Sequence, residues 1–170
     1  MPTVASNNRM KNVLPVNNKY HQGAYNPINE HKYVGEKDKI YFRSSLEYNF
    51  MVKCDNNPNI KKWSSEPFEI PYLSPLDNKT HFYYVDFWIL VENDEGIEKR
   101  YLIEIKPKSH LKKPEIKQRV RPKKSYDNYM NNMKNYIINI TKWRAAQDFC
   151  KQNNMEFRII TEDFLKKVKK

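Results

Sequence analysis

The sequence predicts an α/β domain in which a mixed central sheet is flanked by helices. Three observations predict it. Two apolar runs, Phe82 to Val91 and about Lys99 to Lys106, are joined by Asn93-Asp94-Glu95-Gly96, which has the composition of a hairpin connection. A long helical period follows, with Tyr136, Ile140, Trp143, Gln147 and Cys150 alternating four and three apart on one face. A short apolar run, Phe157 to Ile160, lies beyond that helix. Strands joined by a hairpin, plus a strand reached through a helix, give antiparallel and parallel pairing in one sheet.

Residues 1–38 are polar, Asn-rich and basic without a sustained period, and read as a flexible arm ahead of a domain over 39–170. Arg9, Lys11, Lys19 and Tyr20 suit either contact with a phosphate backbone or a plain solubilising tail. Ser44-Ser45-Leu46-Glu47 opens a helix to about Asp55, with Leu46, Phe50 and Cys54 as its buried stripe. Asn56-Asn57-Pro58-Asn59 stops it. A first strand is expected over Ile60 to Tyr72, bounded by prolines, and Ser74 to Lys79 reads as a turn. The two strands of the hairpin follow, and Pro107 ends the second.

From Lys108 to Lys124 stand eight Lys or Arg residues, one glutamate, and prolines at 114 and 122. Residues 107–128 therefore read as a basic flexible segment. The long helix is expected from roughly Tyr129 to Asn153. After the strand at 157–160, Thr161 caps a last helix with Glu162 and Asp163 in its first turn and lysines at its end.

Composition narrows the function. In 170 residues the formal net charge is +11, which favours a polyanionic partner, nucleic acid before an anionic membrane surface. Three glycines exclude a Gly-rich phosphate loop. Cys54 and Cys150 form no C-x-x-C pair, and the four histidines supply no zinc spacing, so a reduced intracellular protein is expected. No apolar stretch approaches the roughly 20 residues of a membrane span.

The chemistry lies in the hairpin. Asp86 interrupts Tyr84-Val85-Asp86-Phe87-Trp88, and Glu104 interrupts Leu102-Ile103-Glu104-Ile105-Lys106. Burying a carboxylate without a partner costs several kcal/mol, and a divalent cation between the two would offset that cost. Side chains two apart on a strand share a face, so Glu104 and Lys106 point the same way. In register, Asp86 and Glu104 stand side by side, roughly 5 Å apart at Cβ. Mg²⁺, with Mn²⁺ as a substitute, suits two carboxylates, waters and a phosphate oxygen. Lys106 is then placed to orient the attacking water or offset charge on the phosphate. Glu47 offers a third carboxylate, although Ser44-x-x-Glu47 is equally a capping box. Gln147, on the apolar stripe of the long helix, is either support for substrate or water or a buried amide. A solvent-exposed strand face would also account for the alternating charges.

Several phrases carry a resemblance: Tyr41-Phe42-Arg43-Ser44-Ser45-Leu46-Glu47, Trp63-Ser64-Ser65-Glu66-Pro67, Val85-Asp86-Phe87-Trp88, Glu104-Ile105-Lys106-Pro107 and Lys142-Trp143-Arg144-Ala145-Ala146. In this order they resemble the restriction-endonuclease-like (PD-(D/E)XK) nuclease superfamily, with its α-β-β-β-α-β core. Within it they resemble the head-completion nucleases of contractile-tailed bacteriophages, and related phrases occur in transposon-encoded endonucleases. The resemblance spans roughly residues 40–165. It implies a Mg²⁺-dependent phosphodiesterase acting on DNA, working in virion assembly in the host cytoplasm as the filled head is finished for tail joining. Portal or neck proteins are its implied neighbours. It also implies that Glu47, Asp86, Glu104 and Lys106 occupy active-site positions, the three acids at the metal.

Outside those motifs, Lys108, Lys112, Lys113, Lys117, Arg119, Arg121, Lys123 and Lys124 are expected to grip the DNA backbone, or to form only a solvated loop. Arg119 and Arg121 with Tyr126 are candidates for stacking on unpaired bases. The rival readings are a catalytically silent DNA-end or portal-binding protein of the phage head, and an RNA-binding module, for which no recognised RNA motif is present.

Overall fold

The computed structural model describes residues 22–116 and 123–166, without the side chains of Lys123, Lys124 and Lys166. A short strand β1 (Gly23–Ala24) pairs antiparallel with β2 (Tyr41–Phe42). Helix α1 (Ser45–Asn56) follows, with Ser44 as its N-cap: the Ser44 Oγ accepts the Glu47 N–H at 3.2 Å. Then come β3 (Ile60–Ser65), β4 (Glu69–Leu73), β5 (Thr80–Tyr84), β6 (Phe87–Glu92), β7 (Glu98–Ile105), α2 (Lys123–Gln152), β8 (Glu156–Ile160) and α3 (Glu162–Lys166).

The central sheet runs β3-β6-β7-β8. The first two pairings are antiparallel and β7–β8 is parallel, as the α2 crossover requires. The order α1-β3-β6-β7-α2-β8 is the expected α-β-β-β-α-β core, with the β4–β5 hairpin added between its first two strands. Alternation along the strands feeds two cores. Phe87, Ile89, Ile103 and Ile105 pack with Phe50, Met51 and Cys54 of α1. Trp88, Leu102 and Phe157 pack with Ala146 and Cys150 of α2. Each large apolar side chain so buried contributes roughly 1.5–3 kcal/mol.

The two long strands expected at 60–72 and 82–91 are each broken, and at the same level. Ser65 pairs with Phe87 in the central sheet, while Glu69 pairs with Tyr84 in the separate β4–β5 ribbon. Between these pairs, three residues (Glu66, Pro67, Phe68) face two (Val85, Asp86), so one strand carries an extra residue. Glu66 absorbs it with φ +45°, and its N–H donates to the Asp86 carbonyl at 2.9 Å. Such a bulge bends a ribbon and re-aims the side chains beside it. A continuous apolar pattern hides it, because an added residue changes pairing more than composition.

Residues 22–38, expected within the flexible arm, are packed into the fold instead. Tyr25 and Tyr33 are buried and meet Trp63 edge-on, with ring centroids 5.8 and 4.7 Å away. Lys32 is buried and donates from Nζ to the carbonyls of Cys54, Asp55 and Asn57 at 2.7, 2.7 and 2.8 Å. These carbonyls stand at the end of α1; those of Asp55 and Asn57 also accept from the Asn29 amide and the Ile60 N–H, both at 3.1 Å, and Lys32 joins all three. Buried Asp55 accepts from the N–H groups of Ile28 and Asn29 at 2.7 and 2.9 Å and from the Tyr25 hydroxyl at 3.2 Å. A polar segment is thus ordered by satisfied buried charge, which composition does not reveal. Residues 1–21 of the expected arm lie outside the described residues.

Helix α2 starts at Lys123 rather than near Tyr129, so the last part of the segment expected to be flexible is helical. Its buried face is Trp143, Ala146 and Cys150, and Gln147 is exposed, not a buried amide. The heptad-like spacing was shifted by one position: Ala146, small and uninformative in sequence, takes the place assigned to Gln147.

Candidate active site

The site forms where β6 begins, beside the bulge. Continuing the Phe87–Ile103 pairing by one residue sets Asp86 opposite Glu104. There the backbone ladder gives way to a side chain: the Asp86 Oδ2 accepts the Ile105 N–H at 2.7 Å. Glu104 is buried, 3 % exposed, on the α2 side of the sheet with Leu102. Lys106 leaves the end of β7 and reaches back, its Nζ 2.7 Å from the Glu104 Oε1. The buried Tyr83 hydroxyl, on β5, donates to the Glu104 Oε2. One bent ribbon therefore brings Tyr83 and Asp86 to the carboxylate of the neighbouring strand.

The electrostatics follow from this crowding. Burial, and then the charge of Glu104, push the Asp86 carboxyl well above its usual range. Lys106 and the Ile105 N–H act in the opposite direction and do not cancel that rise. Burial lowers the Lys106 pKa, but the Glu104 charge and hydrogen bond outweigh it, so the ammonium is held above its ordinary value. Burial, then the Glu104 and Asp86 charges, drive the Tyr83 hydroxyl upward, so it stays a donor.

Glu47 stands close enough to add to the fields at Asp86 and Lys106. Its oxygens are engaged in the helix start: Oε1 accepts from the Ser44 hydroxyl at 2.9 Å and Oε2 from the Arg43 N–H at 2.8 Å. Arg43 joins the same neighbourhood, with Nη1 2.5 Å from the Glu66 Oε1. Among the described residues, no three His, Cys, Asp or Glu side chains converge closely enough to hold a metal ion. Two facing carboxylates with hard oxygen donors nevertheless fit Mg²⁺, which typically takes one or two carboxylates and keeps waters. Burial first, and then repulsion from Glu104, raises Asp86, and a bound cation would offset both.

The expected site residues divide accordingly. The fold brings Asp86, Glu104 and Lys106 together, places Glu47 beside them in its capping box, and leaves Gln147 exposed on α2. Tyr83 and Arg43 were not expected as site residues. Tyr83 sits three residues before Asp86 inside an apolar run, and its polar tip was the available signal. Of the basic residues, Lys108 is bound to the start of α3: its N–H donates to Glu162 at 2.9 Å and its Nζ pairs with Asp163 at 2.6 Å. Lys112 and Lys113 are exposed. Lys117, Arg119 and Arg121 lie outside the described residues, as do the side chains of Lys123 and Lys124. Tyr126 is exposed and stands 6.5 Å from the Tyr129 ring.

A family model for TnsA-like endonuclease N-terminal domains matches residues 57–162, a span holding Asp86, Glu104 and Lys106 but not Glu47. The chain is also 35 % identical, over 146 residues, to the head completion nuclease of Enterobacteria phage T4. That alignment covers 86 % of this chain and 94 % of the relative. Comparison with solved structures finds no match. The chain therefore belongs to the TnsA-like endonuclease N-terminal family, of the restriction-endonuclease-like nucleases.

Proposed function

We propose that the protein is a Mg²⁺-dependent deoxyribonuclease that hydrolyses DNA phosphodiester bonds during completion of the phage head. The observation that carries this reading is the junction of Asp86, Glu104 and Lys106 at the ribbon bend. Asp86 and Glu104 would hold the metal, with Glu47 turning from its cap to support metal or water. A divalent cation bound there supplies Lewis acidity at the phosphate and lowers the pKa of the attacking water. Lys106, kept charged by Glu104, orients that water and offsets charge developing on the phosphate. Tyr83 fixes Glu104 from the opposite side, so its carboxylate keeps one geometry as substrate enters. Mn²⁺ is expected to replace Mg²⁺, since both prefer hard oxygen donors. The head-completion role follows from the relative in phage T4 and makes portal or neck proteins expected neighbours in the assembling virion.

The test is cleavage of linear and supercoiled DNA with Mg²⁺, by wild type and by Asp86→Ala, Glu104→Ala and Lys106→Ala. Wild type cuts, EDTA stops it, and each variant loses on the order of 10³-fold in rate, about 4 kcal/mol. Intact DNA with wild type, or equal cutting by the variants, defeats the proposal. A gel shift at low salt without cutting would instead favour a DNA-end-binding role.

A further inference from the structure

Beyond the acidic site, the segment following Lys106 and one face of α2 enclose a cleft of about 310 Å³. Lys112 and Lys113 line one wall, and Asn132, Asn135, Tyr136 and Asn139 line the other. The α2 residues are spaced three and four apart, so they form one continuous stripe. Asparagine is a poor helix interior residue, and three on one face cost the helix several tenths of a kcal/mol each relative to alanine. No internal hydrogen bond offsets this: among the described residues, none of the three amides makes a side-chain hydrogen bond, and neither lysine makes an ion pair. Among the described residues these donors and acceptors are thus uncommitted within the protein, and Lys112, Lys113, Asn132 and Asn135 are exposed and open to a ligand.

The chemistry of the walls selects that ligand. Two ammonium groups face an anion of backbone type, such as a phosphodiester. Side-chain amides pair with base edges through one donor and one acceptor, and a tyrosine ring offers a stacking platform. The volume lies at the lower end of the roughly 300–1,000 Å³ typical of small-ligand sites. That is room for a nucleotide, whereas a duplex is read by convex elements entering its grooves. Lys112 follows Lys106 by only six positions, with the intervening turn held to α3 through Lys108.

We propose that this cleft binds a nucleotide of an unpaired DNA strand, so that the protein recognises single-stranded ends or overhangs beside its cutting site. The inference rests on the nuclease reading for its location, but its binding test does not depend on cleavage. Fluorescence anisotropy without divalent metal compares a blunt duplex, the same duplex with a short overhang, and the free strand. Wild type binds the overhang and free strand roughly ten-fold tighter than the blunt duplex. Asn135→Ala/Asn139→Ala loses that preference while binding blunt duplex as wild type does. The substitution raises helix propensity, so a melting temperature no lower than that of wild type accompanies the loss. Lys112→Ala/Lys113→Ala weakens all three DNAs and lowers the salt slope by roughly two. Equal wild-type affinity for blunt and overhanging DNA, or an unchanged preference in the asparagine variant, overturns the proposal. Normal Mg²⁺-dependent cleavage alongside either result leaves the nuclease reading standing, whereas absent cleavage with an intact overhang preference removes that reading alone.

Discussion

At the bend of the ribbon, the Asp86 carboxylate accepts the Ile105 N–H at 2.7 Å, where the backbone pairing of β6 with β7 has stopped. A side chain thus substitutes for a ladder carbonyl and is fixed one position from Glu104. The amide oxygen of Asn accepts the same bond. Asp86→Asn is therefore expected to melt no lower than wild type at neutral pH without metal, because it removes a charge that burial disfavours. Its cleavage rate falls on the order of 10³-fold. Thermal melts and a plasmid-nicking assay check the two halves separately.

The raised pKa of Asp86 sets a pH dependence. Its folded value lies above the unfolded one, so the stability it contributes is full below the ordinary aspartate range. That contribution is lost as pH rises through the elevated folded value. Metal-free protein should accordingly lose stability as pH rises from the ordinary aspartate range through the elevated folded value, and added Mg²⁺ should restore it increasingly over the same window. Scanning fluorimetry across pH, with and without Mg²⁺, reads this. In Asp86→Asn both the decline and its rescue should be largely absent.

Tyr83 is a buried donor to a buried carboxylate. Among the described residues, Tyr83→Phe leaves Glu104 held by Lys106 alone, at an expected cost of roughly 1–3 kcal/mol in urea denaturation. The Mg²⁺ concentration for half-maximal cleavage should rise as Glu104 loses its fixed orientation. A variant with wild-type stability and wild-type Mg²⁺ dependence would show Tyr83 to be a bystander.

Glu47 separates capping from chemistry through a paired substitution. Glutamine serves in a capping box as glutamate does, so Glu47→Gln should keep its melting temperature, while Glu47→Ala loses about 1 kcal/mol. Cleavage by Glu47→Gln should nevertheless drop on the order of 10²-fold, since an amide supplies no charge toward metal or water. Full activity in Glu47→Gln would reduce the residue to a cap.

Lys32 supports α1 from outside the sheet through three carbonyls. Lys32→Met strands the Cys54 carbonyl, removes one of two donors from the Asp55 and Asn57 carbonyls, and takes a cation from the surroundings of buried Asp55. A loss of roughly 2–4 kcal/mol is expected in chemical denaturation. A variant as stable as wild type would mean that water reaches those carbonyls.

The layered plan was legible because it rests on periodicity: hairpin, long helix and final strand each imprint spacing on the sequence. Asp86, Glu104 and Lys106 were legible because charge inside an apolar run is energetically conspicuous. The partners around them were less so. Tyr83 reads as one more aromatic strand residue until β5 is seen to leave the sheet. Lys32 and Asp55 look like surface charges of a polar tract, since their burial depends on contacts more than 20 residues apart. Gln147 was misplaced because small Ala146 carries little hydrophobic signal, although it is fully buried.

The bulge at Glu66 makes the alignment of Asp86 a matter of parity. In a strand, a shift of one residue turns every side chain to the opposite face. Deleting one residue from Glu66 to Phe68 would remove the surplus that lets β5 and β6 diverge, and Asp86 would be driven back toward the sheet. The hairpin tip at Ser74 to Lys79 carries no such count, so length variation there should leave the acidic pair undisturbed. The ribbon thus has one end that can be lengthened freely and one where a single codon gained or lost dismantles the site.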